Sequence, residues 1–162
     1  MATIDDLLSA LTFFAALGCG LTAGVFFAFS AFVMKALARL PADEGIAAMQ
    51  SINVAVINPL YMAVFLGTAV ACFLVMIFAL LRWQDPGAVY LLVGAALYLV
   101  GSLLVTMVFN VPMNEALASV TPGDPDAANL WASYLADWTA WNHVRAAAAL
   151  AATASLTLAL GY

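Results

Sequence analysis

Four stretches of the chain are apolar and free of charge: Leu7 to Met34, Pro59 to Leu81, Gly87 to Asn114 and Ala146 to Tyr162. A helix crosses the hydrocarbon core of a bilayer with about 20 residues. Each stretch is therefore read as a membrane helix, with spans at about 7–34, 59–81, 88–109 and 144–161. The expected fold is all-α, an integral membrane antiparallel four-helix bundle whose helices extend beyond the membrane on one side.

The residues between these runs set the expected helix ends. Pro41 stops the first helix after about Leu40, and Asp43 reads as the N-cap of a mildly polar stretch through Met49, Asn53 and Ile57. Asn58-Pro59 predicts a kink, because proline disfavours helical geometry in the residue before it. Trp83 to Gly87 is a tight turn by composition, so the two flanking helices form a hairpin. Pro112 should repeat the interruption, and Asp124-Pro125 reads as an N-cap with proline at the first helical position. A last helix running from there to about Leu160 would be roughly 54 Å long, against a core of about 30 Å. It must project into water.

Small residues recur every fourth position at Ala16, Gly20, Gly24 and Ala28, and seven apart at Gly94 and Gly101. Such stripes let helices approach closely in lipid.

Antiparallel packing then brings Asn53, Asn58, Asn110, Asn114, Glu115, Trp131, Trp138, Trp141, Asn142, His143 and Arg145 to one side of the membrane. At about 100° per residue, Trp131, Tyr134, Trp138, Trp141, Asn142 and Arg145 share one face, whereas His143 points about 140° away from Trp138. Broken helices, amides and rings converging at a membrane face form a pocket, since irregular backbone is tolerated where it lines a cavity. A purely structural account also stands: an aromatic belt at headgroup level, with Arg145 snorkelling outward or paired with Glu115.

Composition supports the membrane reading: 67% of residues are hydrophobic, 8% are charged and the mean hydropathy is +1.07. The chain of 162 residues is expected to form a single domain. The first run lacks a basic lead, opens on Asp5 and Asp6 and exceeds the length of a signal peptide's apolar region, so it should be retained. A net charge of -5 excludes a nucleic-acid surface. Lys35, Arg39 and Arg145 lie on the polar-cluster side against Arg82 on the other, which makes the cluster side cytoplasmic, in a bacterial inner membrane.

Cys19 and Cys72 lie in mid-run without a Cys-x-x-Cys motif, which argues against a thiol–disulfide oxidoreductase. One histidine cannot build a two-histidine iron site, and Glu44 and Glu115 are too few for a di-iron bundle. No metal and no cofactor are expected.

The runs Gly24 to Ser30, Gln50 to Asn53 with Asn58-Pro59, Asn110-Val111-Pro112-Met113-Asn114, and Trp138 with Trp141-Asn142-His143-Val144-Arg145 resemble, in order, the anthrone oxygenase family of small four-helix membrane proteins. The resemblance implies a cofactor-independent oxygenase acting on anthrone-like or other hydrophobic aromatic substrates. Such chemistry needs a base, donors aimed at the anionic oxygen and a slot for a flat ring. On this sequence Arg145 with Asn110, Asn114 or Asn142 would hold the anion, Trp138 and Trp141 would stack on the ring, and Asn53 and Asn58 would line the slot. His143 is the histidine available as base, with Glu115 and Asp137 in reserve, although the helical wheel turns His143 away. The alternative is a non-catalytic membrane subunit or quinone- or lipid-binding protein. Expected partners are a hydrophobic small molecule or lipid, and further copies of the chain or a larger membrane complex.

Overall fold

The computed structural model describes residues 4–121, 124 and 126–162, and among them there are five helices and no strand. They are α1 (Ile4–Leu37), α2 (Ala42–Ala55), α3 (Pro59–Leu81), α4 (Ala88–Ala118) and α5 (Ala127–Ala159). Two of them are not uniform. A π-helical turn occupies Phe29–Val33 in α1, and two more occupy Leu99–Leu104 and Thr106–Asn110 in α4.

Local chemistry explains where the helix ends differ from expectation. Pro41, at φ -49° and ψ 146°, takes the cap position of α2, so Asp43 falls in the first turn, where its charge meets the positive end of the helix. Asn58 makes a complete break instead of a kink. Its backbone is extended, its Oδ1 accepts from the Tyr61 amide at 3.0 Å and its Nδ2 donates to the Ala55 carbonyl at 2.9 Å. Pro59 follows at the first helical position, where no amide hydrogen is needed.

Pro112, by contrast, interrupts nothing. A proline ring meets the carbonyl four residues back, and the π-helical turn Thr106–Asn110 widens the ladder just before it. The start of α5 is also later than expected: Asp126 holds the cap position without a side-chain bond, Asp124 lies outside the helix, and Pro125 and the loop residues 122 and 123 lie outside the described residues. Its 33 residues still make about 50 Å.

Three helices, α1, α3 and α4, are long and apolar enough to cross a membrane. The fourth expected span, in α5, falls short because its candidate stretch is mostly alanine with Thr153, Ser155 and Thr157, preceded by Asn142, His143 and Arg145. Large apolar side chains such as Phe14, Leu21, Phe27, Val70, Phe73 and Val100 are exposed on the three apolar helices.

Helices α1, α3, α4 and α5 contact one another in a closed cycle, and α2 lies against α5 and the end of α4. Gly94 and Gly101 face α5; a Cβ on Gly94 would stand 2.7 Å from Leu156 Cγ, and one on Gly101 would collide with Ala148. Along the α1 stripe, Ala16 is buried and Gly20 faces Thr153, but Gly24 faces open space. A Cβ on Gly45 of α2 would approach Trp131 of α5 to 2.9 Å, so only glycine permits that docking. Gln50 Nε2 fastens α2 to the end of α4, donating to the Leu117 and Val120 carbonyls at 2.9 Å each.

Two apolar clusters result. One, between α1, α3, α4 and α5, contains Phe26, Phe65, Tyr98 and the Cys19 and Cys72 thiols, 3.9 Å apart. The other, beyond the membrane-length segments, contains Met34, Ile46, Met49, Leu117, Trp131, Tyr134 and Trp138.

Candidate functional site

Helix α5 supplies the spine of the site. Trp131, Tyr134, Trp138, Asn142 and Arg145 recur at helical spacing and are all buried. Their rings form a ladder, with Trp131 and Tyr134 centroids 5.6 Å apart and Tyr134 and Trp138 centroids 6.1 Å apart. Asn114 of α4 pins two rungs: its Oδ1 accepts from the Tyr134 hydroxyl and from Trp138 Nε1, each at 2.8 Å. Burial pushes the Tyr134 phenol up, against smaller downward pulls from Asn53 and the charge of Arg145. Asn110, fully buried, donates from Nδ2 to the Trp138 carbonyl at 3.3 Å.

Arg145 ends the spine, with only 5% of its surface exposed. One terminal nitrogen donates to Asn142 Oδ1 at 2.7 Å and the other to Thr106 Oγ1 at 3.2 Å. Its guanidinium carbon lies 4.3 Å from the Phe26 ring centroid and 5.0 Å from that of Trp138. Asn142 is held in turn, its Nδ2 donating to the Phe26 carbonyl and to Ser30 Oγ at 2.8 Å each. No carboxylate appears among these partners, and Arg145 Nε has none at all. A buried charge without a counter-ion costs several kcal/mol, which ring faces and neutral acceptors offset only in part.

The guanidinium borders a cavity of about 380 Å³ set between the two apolar clusters. Its walls are Phe26 and Phe29 of α1, Met49, Ile52 and Val56 of α2, Phe65 of α3 and Trp138 of α5. Its polar groups are Asn53, Tyr61, Thr106, Asn114 and Arg145. The volume lies within the roughly 300–1,000 Å³ of small-molecule sites, and so does the character, apolar walls with a few placed polar groups. Asn53 Nδ2 stands close to the Tyr134 hydroxyl without hydrogen-bond geometry and is a buried donor without a partner.

The expected site residues divide into three groups. Arg145, Asn53, Asn114 and Trp138 line the cavity. Asn110 and Asn142 stand behind it and position Trp138 and Arg145. The remaining three lie elsewhere. Asn58 is a helix cap with both ends of its amide used, Trp141 stacks at 3.6 Å on Phe109, and His143 is exposed on the other face of α5. Glu115 and Asp137 are exposed as well, and the pair between Glu115 and Arg145 is not formed.

Phe26, Tyr61 and Phe65 belong to the site although nothing singled them out by chemistry. Inside a lipid-length run an aromatic ring facing a cavity has the same pattern as one facing lipid. Tyr61 carried one usable signal, its place just after the Asn58-Pro59 break.

A second cavity, about 460 Å³, lies at the opposite end among Asp5, Thr12, Arg82, Asp85 and Tyr162. Its arginine is already neutralised by Asp5 and by Asp85, the latter at 2.6 Å. Among the described residues, no three His, Cys, Asp or Glu side chains gather as they would around a metal.

Fold and site together define an all-helical protein with membrane-length apolar helices and a buried arginine facing an aromatic cavity. The sequence pattern of the anthrone oxygenase family matches residues 58–155, well over half of the chain. The protein belongs to that family. The matched segment carries Tyr61, Thr106, Asn110, Asn114, Trp138, Asn142 and Arg145; the walls from α1 and α2 lie outside it. No curated protein and no solved structure matches the chain.

Proposed function

We propose that the protein is an integral membrane oxygenase that converts anthrone-like aromatic compounds to quinones without a cofactor. In this reading α1, α3, α4 and α5 form an antiparallel four-helix bundle in a bacterial inner membrane. The Asn114, Trp138 and Arg145 end faces the cytoplasm, by the excess of Lys35, Arg39 and Arg145 over Arg82 at that end.

The observation that carries the reading is Arg145, a buried cation with no carboxylate partner at the wall of an aromatic-sided cavity. An anthrone loses a methylene proton to give an anion whose negative oxygen would sit against Arg145. The ring carbon of that anion adds dioxygen, a new C–O bond forms, and loss of water from the peroxide leaves the second carbonyl of the quinone. Dioxygen is the oxidant, one of its atoms entering the product and the other leaving as water. Fixed donors at the anionic oxygen stabilise the charge during this sequence, while Phe26, Phe65 and Trp138 sandwich the ring.

The test is a cofactor-free assay of the detergent-solubilised protein with a simple anthrone, following oxygen uptake and quinone absorbance. Protein-dependent turnover that disappears in an Asn110→Ala, Arg145→Ala double variant is the expected result. Rates equal to spontaneous oxidation would refute catalysis and leave the cavity as the binding site of a quinone- or lipid-binding membrane subunit.

A further inference from the structure

The cavity contains donors and a cation but no base. No carboxylate or imidazole is among its lining, and two buried donors, Asn53 Nδ2 and Arg145 Nε, have no acceptor. The groups facing Arg145 from each neighbouring element are the same in kind. From α1 they are Phe26 and Ser30, from α2 Met49 and Asn53, from α3 Tyr61 and from α4 Thr106. Along α5 they are Tyr134, Trp138 and Asn142. The carboxylates nearest in sequence, Asp43, Glu44, Glu115 and Asp137, are exposed, as is His143.

We infer that the cavity takes its aromatic ligand as the conjugate base of an acidic hydroxyl or enol, with Arg145 as counter-ion and no proton-accepting side chain from the protein. The hydroxyl proton leaves to bulk water as the ring enters, and the resulting oxyanion accepts from Arg145 Nε and Asn53 Nδ2. The inference rests on the oxygenase reading for the identity of the substrate and on the cavity alone for its charge. It narrows the substrate class to flat aromatics bearing a group that ionises near neutral pH, or can be brought there by one adjacent positive charge. An O-alkylated analogue of the same shape is excluded, because it leaves both donors and the cation unpaired. Asn53 thereby becomes a specificity-determining residue, contributed by the helix outside the membrane-length segments.

Four-nitrophenol reports the proposal directly, since its anion absorbs in the visible and it is not a substrate for oxygenation. Its ionisation is titrated in neutral-detergent micelles with and without the solubilised protein. An adjacent cation should lower the midpoint of the bound dye by about 1–3 units. The wild-type protein should also bind 4-nitroanisole at least about tenfold more weakly than nitrophenol. Arg145→Met should return the midpoint to that of empty micelles, and Asn53→Ala should recover part of the shift. An unshifted midpoint with wild-type protein, or equal affinity for nitroanisole, overturns the inference without recourse to any variant. Octanoate tests whether any anionic amphiphile serves; displacement of the dye as effectively as by unsubstituted 1-naphthol would overturn the aromatic class. Anthrone turnover with an unshifted dye would sink this inference alone. A shifted dye without anthrone turnover would sink the oxygenase reading and leave this one standing.

Discussion

Arg82 and Arg145 sit at opposite ends of the same helical assembly and illustrate two fates of a charge in an apolar chain. Arg82 follows the last residue of α3, is partly exposed, and is bonded to Asp5 and Asp85. The hydrogen bond to Asp5, then the charges of Asp5 and Asp85, hold its guanidinium above the usual arginine range. Arg145 lies inside, between two rings, with neutral oxygens as its partners. The first arginine is complete as the protein stands. The second is complete only when something negative arrives, and that difference separates a helix-end anchor from a binding site.

Replacing each arginine is the sharpest way to break the comparison. Arg145→Ala should lower anthrone turnover by at least about 10²-fold, the scale of losing one oxyanion donor, while the folded yield holds because an unpaired buried charge is removed with it. Unchanged turnover would take Arg145 out of the mechanism. Asn142→Ala comes next. It strips acceptor or donor from Arg145, the Phe26 carbonyl and Ser30 together, and unsatisfied buried groups cost about 1–3 kcal/mol each. A lowered thermal midpoint should accompany a partial loss of turnover, and a loss of stability alone would make Asn142 a packing residue only.

Smaller effects sharpen the contrast from the exposed side. His143→Ala should leave turnover within about twofold, as expected of a surface substitution; a collapse of rate would restore it as the base. Arg82→Gln should leave turnover unchanged and lower the thermal midpoint slightly, with the difference vanishing in high salt. A loss of turnover like that of the Arg145 variant would place the chemistry at the wrong end.

Much of the site was legible in α5 because one helix carries most of it. Trp131, Tyr134, Trp138, Asn142 and Arg145 share a face at 100° per residue, and that face is the buried one. The same wheel turned His143 outward, where the structure has it. It also put Trp141 with the spine, whereas that ring is half-buried against Phe109; a wheel gives direction and not which neighbour waits there. Asn58 looked like a ligand because an asparagine beside a proline break has the same pattern whether it caps a helix or faces a cavity. Asn53 was separable from it only by tertiary contact. The fourth span was overread at Ala146 to Tyr162, since an absence of charge resembles apolarity even where alanine and hydroxyl residues dominate.

The π-helical turns at Leu99–Leu104 and Thr106–Asn110 have a consequence for how variants of this chain are compared. Each turn holds more residues per revolution than an α-helix, so the segment stores slack in its angular phase as well as in its length. Deleting any one residue between 99 and 110 lets a turn revert to α-helix and swings everything downstream by about 100°. Asn114 would then leave the Tyr134 hydroxyl and Trp138 Nε1, although composition and hydropathy would scarcely change. In an aligned set of such chains, a single gap in this segment outweighs most substitutions, because it decides which side of α4 looks inward.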